Sequence, residues 1–228
     1  MTPTRTIAAL ALAALALLAG CNDAGFSPTT STSAPATTKM TASTTKFTEA
    51  LKAALLTPAD VPGATVVASP SEDFDLSACA PDNPFAARTD PTEVKNTGLE
   101  LKDGAVNRQY SSKAREGTPE QAKALVAAFS ATCVVDSFKK LLSLTPPPSF
   151  DTSGLTGTAA TAAVADGGGV VSIAGPLKKG RDEVSIVVDL LVFQKGSFVV
   201  FVSASAVDGP MVPGQSLELA RKIESRLP

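Results

Sequence analysis

EVSIVVDLLVFQKGSFVVFVSASA, Glu183 to Ala206, decides the fold. It holds two runs rich in Val, Ile and Phe, Glu183–Phe193 and Ser197–Ala206, joined by Gln194-Lys195-Gly196. β-branched and aromatic residues on either side of a short glycine-containing turn predict an antiparallel hairpin. Both runs are almost continuously apolar instead of alternating, which predicts central strands covered on both faces. They are not membrane spans, because Asp189 and Lys195 interrupt them and each run is about half of the ~20 residues a helix needs to cross a bilayer. Two carboxylates stand out. Glu183 reads as a surface charge at a strand end. Asp189 is a carboxylate inside an apolar strand. It reads as a group facing solvent at a sheet margin or paired with a basic partner, in preference to a catalytic acid.

Outward from the hairpin, the pattern stays antiparallel. Thr158–Ala165 and Val170–Ala174 flank Asp166-Gly167-Gly168-Gly169. A phosphate loop would continue into Gly-Lys-Ser/Thr and a helix; this run does neither, so it predicts a hairpin turn. Thr97–Leu101 and Ala105–Ser112 flank Lys102-Asp103-Gly104, where Asp-Gly is a hairpin signal. Thr118-Pro119-Glu120-Gln121 opens a helix with a threonine cap, proline at the first position and glutamine at the third. Leu125, Val126, Phe129 and Cys133 share one face, which points Cys133 inward from that helix. Phe138, Leu141, Leu142 and Leu144 extend a second helical piece that Pro146-Pro147-Pro148 ends. The last helix, Gln215–Leu227, buries Leu217, Ala220, Ile223 and Leu227, and its basic residues crowd the final turns. A short helix at Thr48–Leu56, a capped turn at Thr57-Pro58-Ala59-Asp60 and a strand at Ala64–Ala68 open the domain. Ser69–Pro91 reads as loop. Its acids, Glu72, Asp73 and Asp75, lack the ligand spacing and glycine of a calcium loop. The expected fold is α+β: an antiparallel β-sheet covered by helices.

The amino end gives the address. Arg5 precedes an unbroken apolar run, Ile7–Ala19, which has the layout of a secretory signal and is too short to span a membrane. Leu18-Ala19-Gly20-Cys21 resembles the lipobox of bacterial lipoproteins. That resemblance implies a diacylglyceryl group on the Cys21 sulfur and cleavage before Cys21. Asn22–Lys46 is rich in Thr, Ser, Ala and Pro and has almost no large apolar residues, so it cannot offset the entropy of ordering and reads as an extended tether. The expected organisation is a signal peptide at 1–20, a tether at 21–46 and a single domain at 47–228, held on the extracytoplasmic face of the cell membrane by lipid.

Composition excludes several functions. The chain carries 20 basic and 22 acidic residues, and this near-balance argues against a nucleic-acid partner. Histidine is absent, which removes Ser-His-Asp and Cys-His catalysis and zinc sites built from Cys and His. No catalytic residue, metal ligand or cofactor is expected. With Cys21 lipidated, Cys79 and Cys133 remain. An even pair in an exported domain reads as a disulfide; two free thiols are the alternative.

The segment ALLTPADVPG (Ala54–Gly63), the early loop Cys79, a helix carrying Cys133, the hairpin VVDLLVFQKGSFVVFVSASA (Val187–Ala206) and the final helix occur here together. In that combination the domain resembles the extracellular sensor domains of PknH-type serine/threonine kinases. The resemblance implies a PsbP-like sandwich in an actinobacterial envelope protein. Those domains carry two disulfides, whereas this chain can form one, and no ligand residue transfers to a position here. The functional expectation is a non-catalytic binding or sensing module at the cell surface, its partner an unknown small ligand or envelope protein. The alternative is a carrier of lipid or a small apolar ligand, which needs a large apolar cavity in place of a filled core.

Overall fold

The computed structural model describes residues 49–67, 79–80, 94–95, 98–143 and 150–228. The lipobox, the tether and the acids Glu72, Asp73 and Asp75 lie outside the described residues.

Among the described residues eight strands form one sheet: β1 (Thr65–Val67), β2 (Val94–Lys95), β3 (Gly98–Asp103), β4 (Val106–Glu116), β5 (Thr156–Ala162), β6 (Gly167–Lys179), β7 (Asp182–Lys195) and β8 (Phe198–Val207). The order is β1-β3-β4-β8-β7-β6-β5, with β2 on β4, and every pairing is antiparallel. The helices are α1 (Pro119–Ala128), α2 (Ala131–Ser143) and α3 (Gln215–Glu224); a helical turn at residues 49–53 and a 3-10 turn at Pro58–Asp60 precede β1. This is the expected α+β architecture.

The Glu183–Ala206 hairpin forms the centre, as its apolar runs require. Along β7, Val184, Ile186, Val188, Leu190 and Val192 enter one buried cluster with Leu125, Val134, Phe138 and Leu142 of α1 and α2. Leu191 and Phe193 enter a second cluster with Leu51, Leu55 and Leu56 of the opening segment and Leu219, Ala220 and Ile223 of α3. Alternate residues of one strand thus serve opposite faces. The gap between β7 and β8 is turned at Gly196, whose φ of 56° lies in the left-handed region that glycine tolerates.

Several local expectations need correction. The run Leu125–Cys133 is not one helix. Phe129 has extended backbone (φ −75°, ψ 93°) and ends α1, so Cys133 belongs to the first turn of α2. No proline or glycine marks that break. The glycine run is not a turn either: Gly167, Gly168 and Gly169 pair with Gln194, Phe193 and Val192 inside β6. A Cβ on Gly168 would lie 2.9 Å from the Val192 carbonyl and 3.0 Å from Val164, so close packing, not reversal, requires glycine there. In the first hairpin the reversal falls one residue later than expected, at Gly104-Ala105, and β4 runs on to Glu116.

The opening segment is stitched to the end of the chain. The Leu56 N–H donates to the buried Ser112 hydroxyl of β4 at 2.8 Å. Asp60, 9% exposed, accepts from the Thr57 N–H and hydroxyl and from Arg226 Nη1, which lies 3.2 and 3.0 Å from its Oδ1 and Oδ2. Lys222 Nζ donates to the Asp60 carbonyl at 3.0 Å. At the same C-terminal end of α3, Lys195 Nζ donates to the carbonyls of Glu224 and Leu227, a cation placed on the negative helix terminus.

Candidate functional site

The two helical layers cover the sheet unequally. On one face α2 lies on β5 and β6 and α1 on β6, β7 and β8; on the other, α3 lies on β7 and β8. On the α3 face, the outer half is left open: Thr156, Thr158, Ala160 and Ala174 are exposed, and Val170, Ser172, Val187 and Asp189 are half-buried.

One row of paired residues crosses this face. Tyr110 of β4, Ala204 of β8, Asp189 of β7, Ser172 of β6 and Thr158 of β5 are successive Cα partners. Facing residues of antiparallel strands present their side chains on the same side, so the row lies on one face. The start of α3 sits over its inner end. The Tyr110 hydroxyl donates to Gln215 Oε1 at 3.0 Å, and the Ser216 hydroxyl donates to Asp189 Oδ2 at 3.2 Å. Ser172 Oγ donates to Asp189 Oδ1 at 2.6 Å, the short length of a charge-assisted bond. Burial pushes the Tyr110 phenol above its ordinary value, outweighing the Gln215 bond and the nearby Arg108 charge, so the phenol stays a neutral donor.

Asp189 therefore sits in a central strand with two hydroxyl partners beside a helix N-terminus, where the dipole favours negative charge. This differs from the expectation of a solvent-facing margin or a basic partner. The reason is register: Ser172 and Ser216 reach Asp189 only because β6 pairs with β7 and α3 folds back across the sheet, and neither contact is local in sequence. Glu183 is the surface charge it was expected to be, 3.5 Å from Lys178. Both oxygens of Asp189 are occupied by hydroxyl protons, and no nitrogen base touches either serine among the described residues. The arrangement is a polar floor of hydroxyls fixed on a carboxylate, with Thr158 at its exposed end, suited to hydrogen bonding and not to activating a nucleophile. Asp189→Asn is expected to lower stability by about 1.5–3 kcal/mol, the usual worth of hydrogen bonds to a charged group. Urea unfolding checks this. An unchanged midpoint would mean that the two hydroxyl bonds contribute nothing.

Cys79 and Cys133 are bonded, their Cα atoms 5.7 Å apart, with Cys79 packed against the α1–α2 cluster. Among the described residues no three or more His, Cys, Asp or Glu are placed to hold a metal, and no helix is long and apolar enough to cross a membrane.

The fold thus defines an α+β domain with an antiparallel sheet between helical layers. No family model matches the chain, and no curated protein matches it. Among solved structures it is similar to the extracellular domain of PknH from Mycobacterium tuberculosis, at 14% identity and a TM-score of 0.39, over 78% of this chain and 95% of that one. It is also similar to LpqN, involved in cell envelope biogenesis of Mycobacterium tuberculosis, at 10% identity and a TM-score of 0.30, over 60% of this chain and 78% of that one.

Proposed function

We propose that the chain is an exported lipoprotein, anchored through Cys21 on the extracytoplasmic face of the cell membrane, whose domain is a non-catalytic binding or sensing module. The observation that carries this reading is Leu18-Ala19-Gly20-Cys21 at the end of the apolar run Ile7–Ala19. A lipid there, followed by a polar tether, supports a role at a membrane surface, because two or more acyl chains hold a protein stably. The open, hydroxyl-lined half of the α3 face supports binding over catalysis.

The carrier alternative loses support from the core. Side chains lining a hollow wide enough for an acyl chain would be accessible to a water-sized sphere. Val171, Ile173, Val188, Val192, Phe193, Val199 and Val200 are instead exposed by 1% or less, sealed against their neighbours.

The test is expression of the wild type and Cys21→Ser in a bacterium that processes lipoproteins, with an alkyne fatty acid in the medium. The wild type should incorporate the label and sediment with membranes, and Cys21→Ser should do neither. Equal labelling of both would refute the anchor. Native mass spectrometry of the exported Cys21→Ser chain should give the polypeptide mass alone; a co-purifying lipid would restore the carrier reading.

A further inference from the structure

Among the described residues, β5 ends the sheet. Alternate residues of an antiparallel edge strand turn their N–H and C=O away from the sheet, a template for another extended chain. Proteins blunt such edges by shortness, charge, proline or bulges. β5 has none of these: its seven residues, TGTAATA, pair with β6 in unbroken register and carry neither charge nor proline. Thr156, Thr158, Ala159, Ala160 and Thr161 are exposed. Between Asp151 and Lys178 the sole charged residue is Asp166, in a chain with 18% charged residues. At the opposite end of the sheet, β1 is three residues long.

We propose that β5 pairs with β5 of a second copy of this chain, antiparallel about a two-fold axis, joining two sheets into one. The self-pairing is dictated by geometry. Facing residues must show side chains on the same face, so a residue must stand opposite itself at the axis. Full overlap of Thr156–Ala162 places that axis at Ala159. Thr158 then faces Ala160, Gly157 faces Thr161 and Thr156 faces Ala162, with no like charges opposed. The second copy pairs through its own β5 and not head-to-tail through β1, because β1 offers three residues where β5 offers seven, and head-to-tail addition would leave an open fibre. Pairing would also fuse the two open α3-side floors into one hydroxyl-lined surface between two α3 helices.

The test uses the full exported chain with Cys21→Ser, so that lipid does not drive association. Sedimentation velocity over a concentration series is expected to show a reversible dimer. Ala159→Lys places two lysines opposite each other and should weaken dimerisation roughly tenfold, with an unchanged melting temperature as the folding control. Independently, Ala159→Cys, the one free thiol in that chain, should form a linked dimer under mild oxidation faster than Val66→Cys, which is 56% exposed on the β1 edge. A chain that stays monomeric throughout, or equal cross-linking at both positions, overturns the proposal. So does a dimer that ignores the lysine.

Discussion

Reduction of the Cys79–Cys133 bond, or its removal as Cys79→Ser with Cys133→Ser, is expected to cost the domain about 4 kcal/mol. The bond closes a loop with a sequence separation of 54, and the chain-entropy account of a cross-link of that size gives roughly this value. The cost arises mainly in the unfolded chain, which regains the freedom that the bond denied it. A native contribution adds to it, because Cys79 and Ala80 pack against the α1–α2 cluster and the bond holds them there. For a domain of this size, 4 kcal/mol corresponds to a fall in melting temperature of about 8–16 °C. Thermal unfolding with and without reductant measures it, alongside thiol titration. Coincident melting curves with both thiols titratable would show that the cross-link does not stabilise the fold.

Asp60→Asn is expected to destabilise the domain by about 2–4 kcal/mol at neutral pH. The substitution removes the charge that Arg226 faces and disturbs the bonds from Thr57, leaving a cation with a weakened partner at the seam between the first turn and the last helix. Two guanidinium nitrogens of Arg226, Nε and Nη2, are already buried without a hydrogen-bond partner, so little else offsets the loss. The effect carries a pH signature. Burial by itself would raise the Asp60 carboxyl, but the Thr57 N–H, the Arg226 hydrogen bond, the Thr57 hydroxyl and the Arg226 charge together outweigh it and hold the carboxyl below its ordinary value of 3.8. A depressed folded-state value means that the ionised group stabilises the fold in full above 3.8 and ceases to do so as pH falls through the folded value. The gap in urea midpoint between wild type and Asp60→Asn should therefore be widest near neutrality and close on acidification. Because other carboxylates titrate in both proteins, the difference isolates Asp60. A gap that persists into strong acid would assign the effect to packing instead of charge.

These two sites differ in how far they could be read in advance. Cys79 and Cys133 are legible as a pair, because reading Cys21 as a lipidation site leaves two cysteines and one intramolecular choice. Asp60 was legible only as the third residue of a capped turn after Thr57-Pro58; its partner lies at Arg226, at the far end of the chain, and no local pattern points there. Asp189 was visible as an oddity, yet both of its hydroxyl partners were invisible for the same reason. The break at Phe129 was missed because Leu125, Val126 and Cys133 keep helical spacing across it, and the extended backbone at Phe129 carries no glycine or proline to announce it.

Local chemistry explains what the sequence by itself determined. The apolar hairpin Glu183–Ala206 had to be central, since so many Val, Ile and Phe side chains need cover on both faces. Thr118-Pro119 and Gln121 had to open a helix, because they satisfy its first free N–H groups: the Thr118 hydroxyl accepts from the Gln121 N–H at 3.2 Å, and Gln121 Oε1 accepts in return from the Thr118 N–H at 3.0 Å. Only the tertiary structure decided that β4 docks on the free edge of β8, that α3 covers one half of its face and leaves the other open, and that β5 is the last strand of the sheet among the described residues. Those outcomes rest on pairings between segments far apart in the chain, where several edges and faces offer similar backbone hydrogen bonds and the choice among them is made by how all the side chains fill space together.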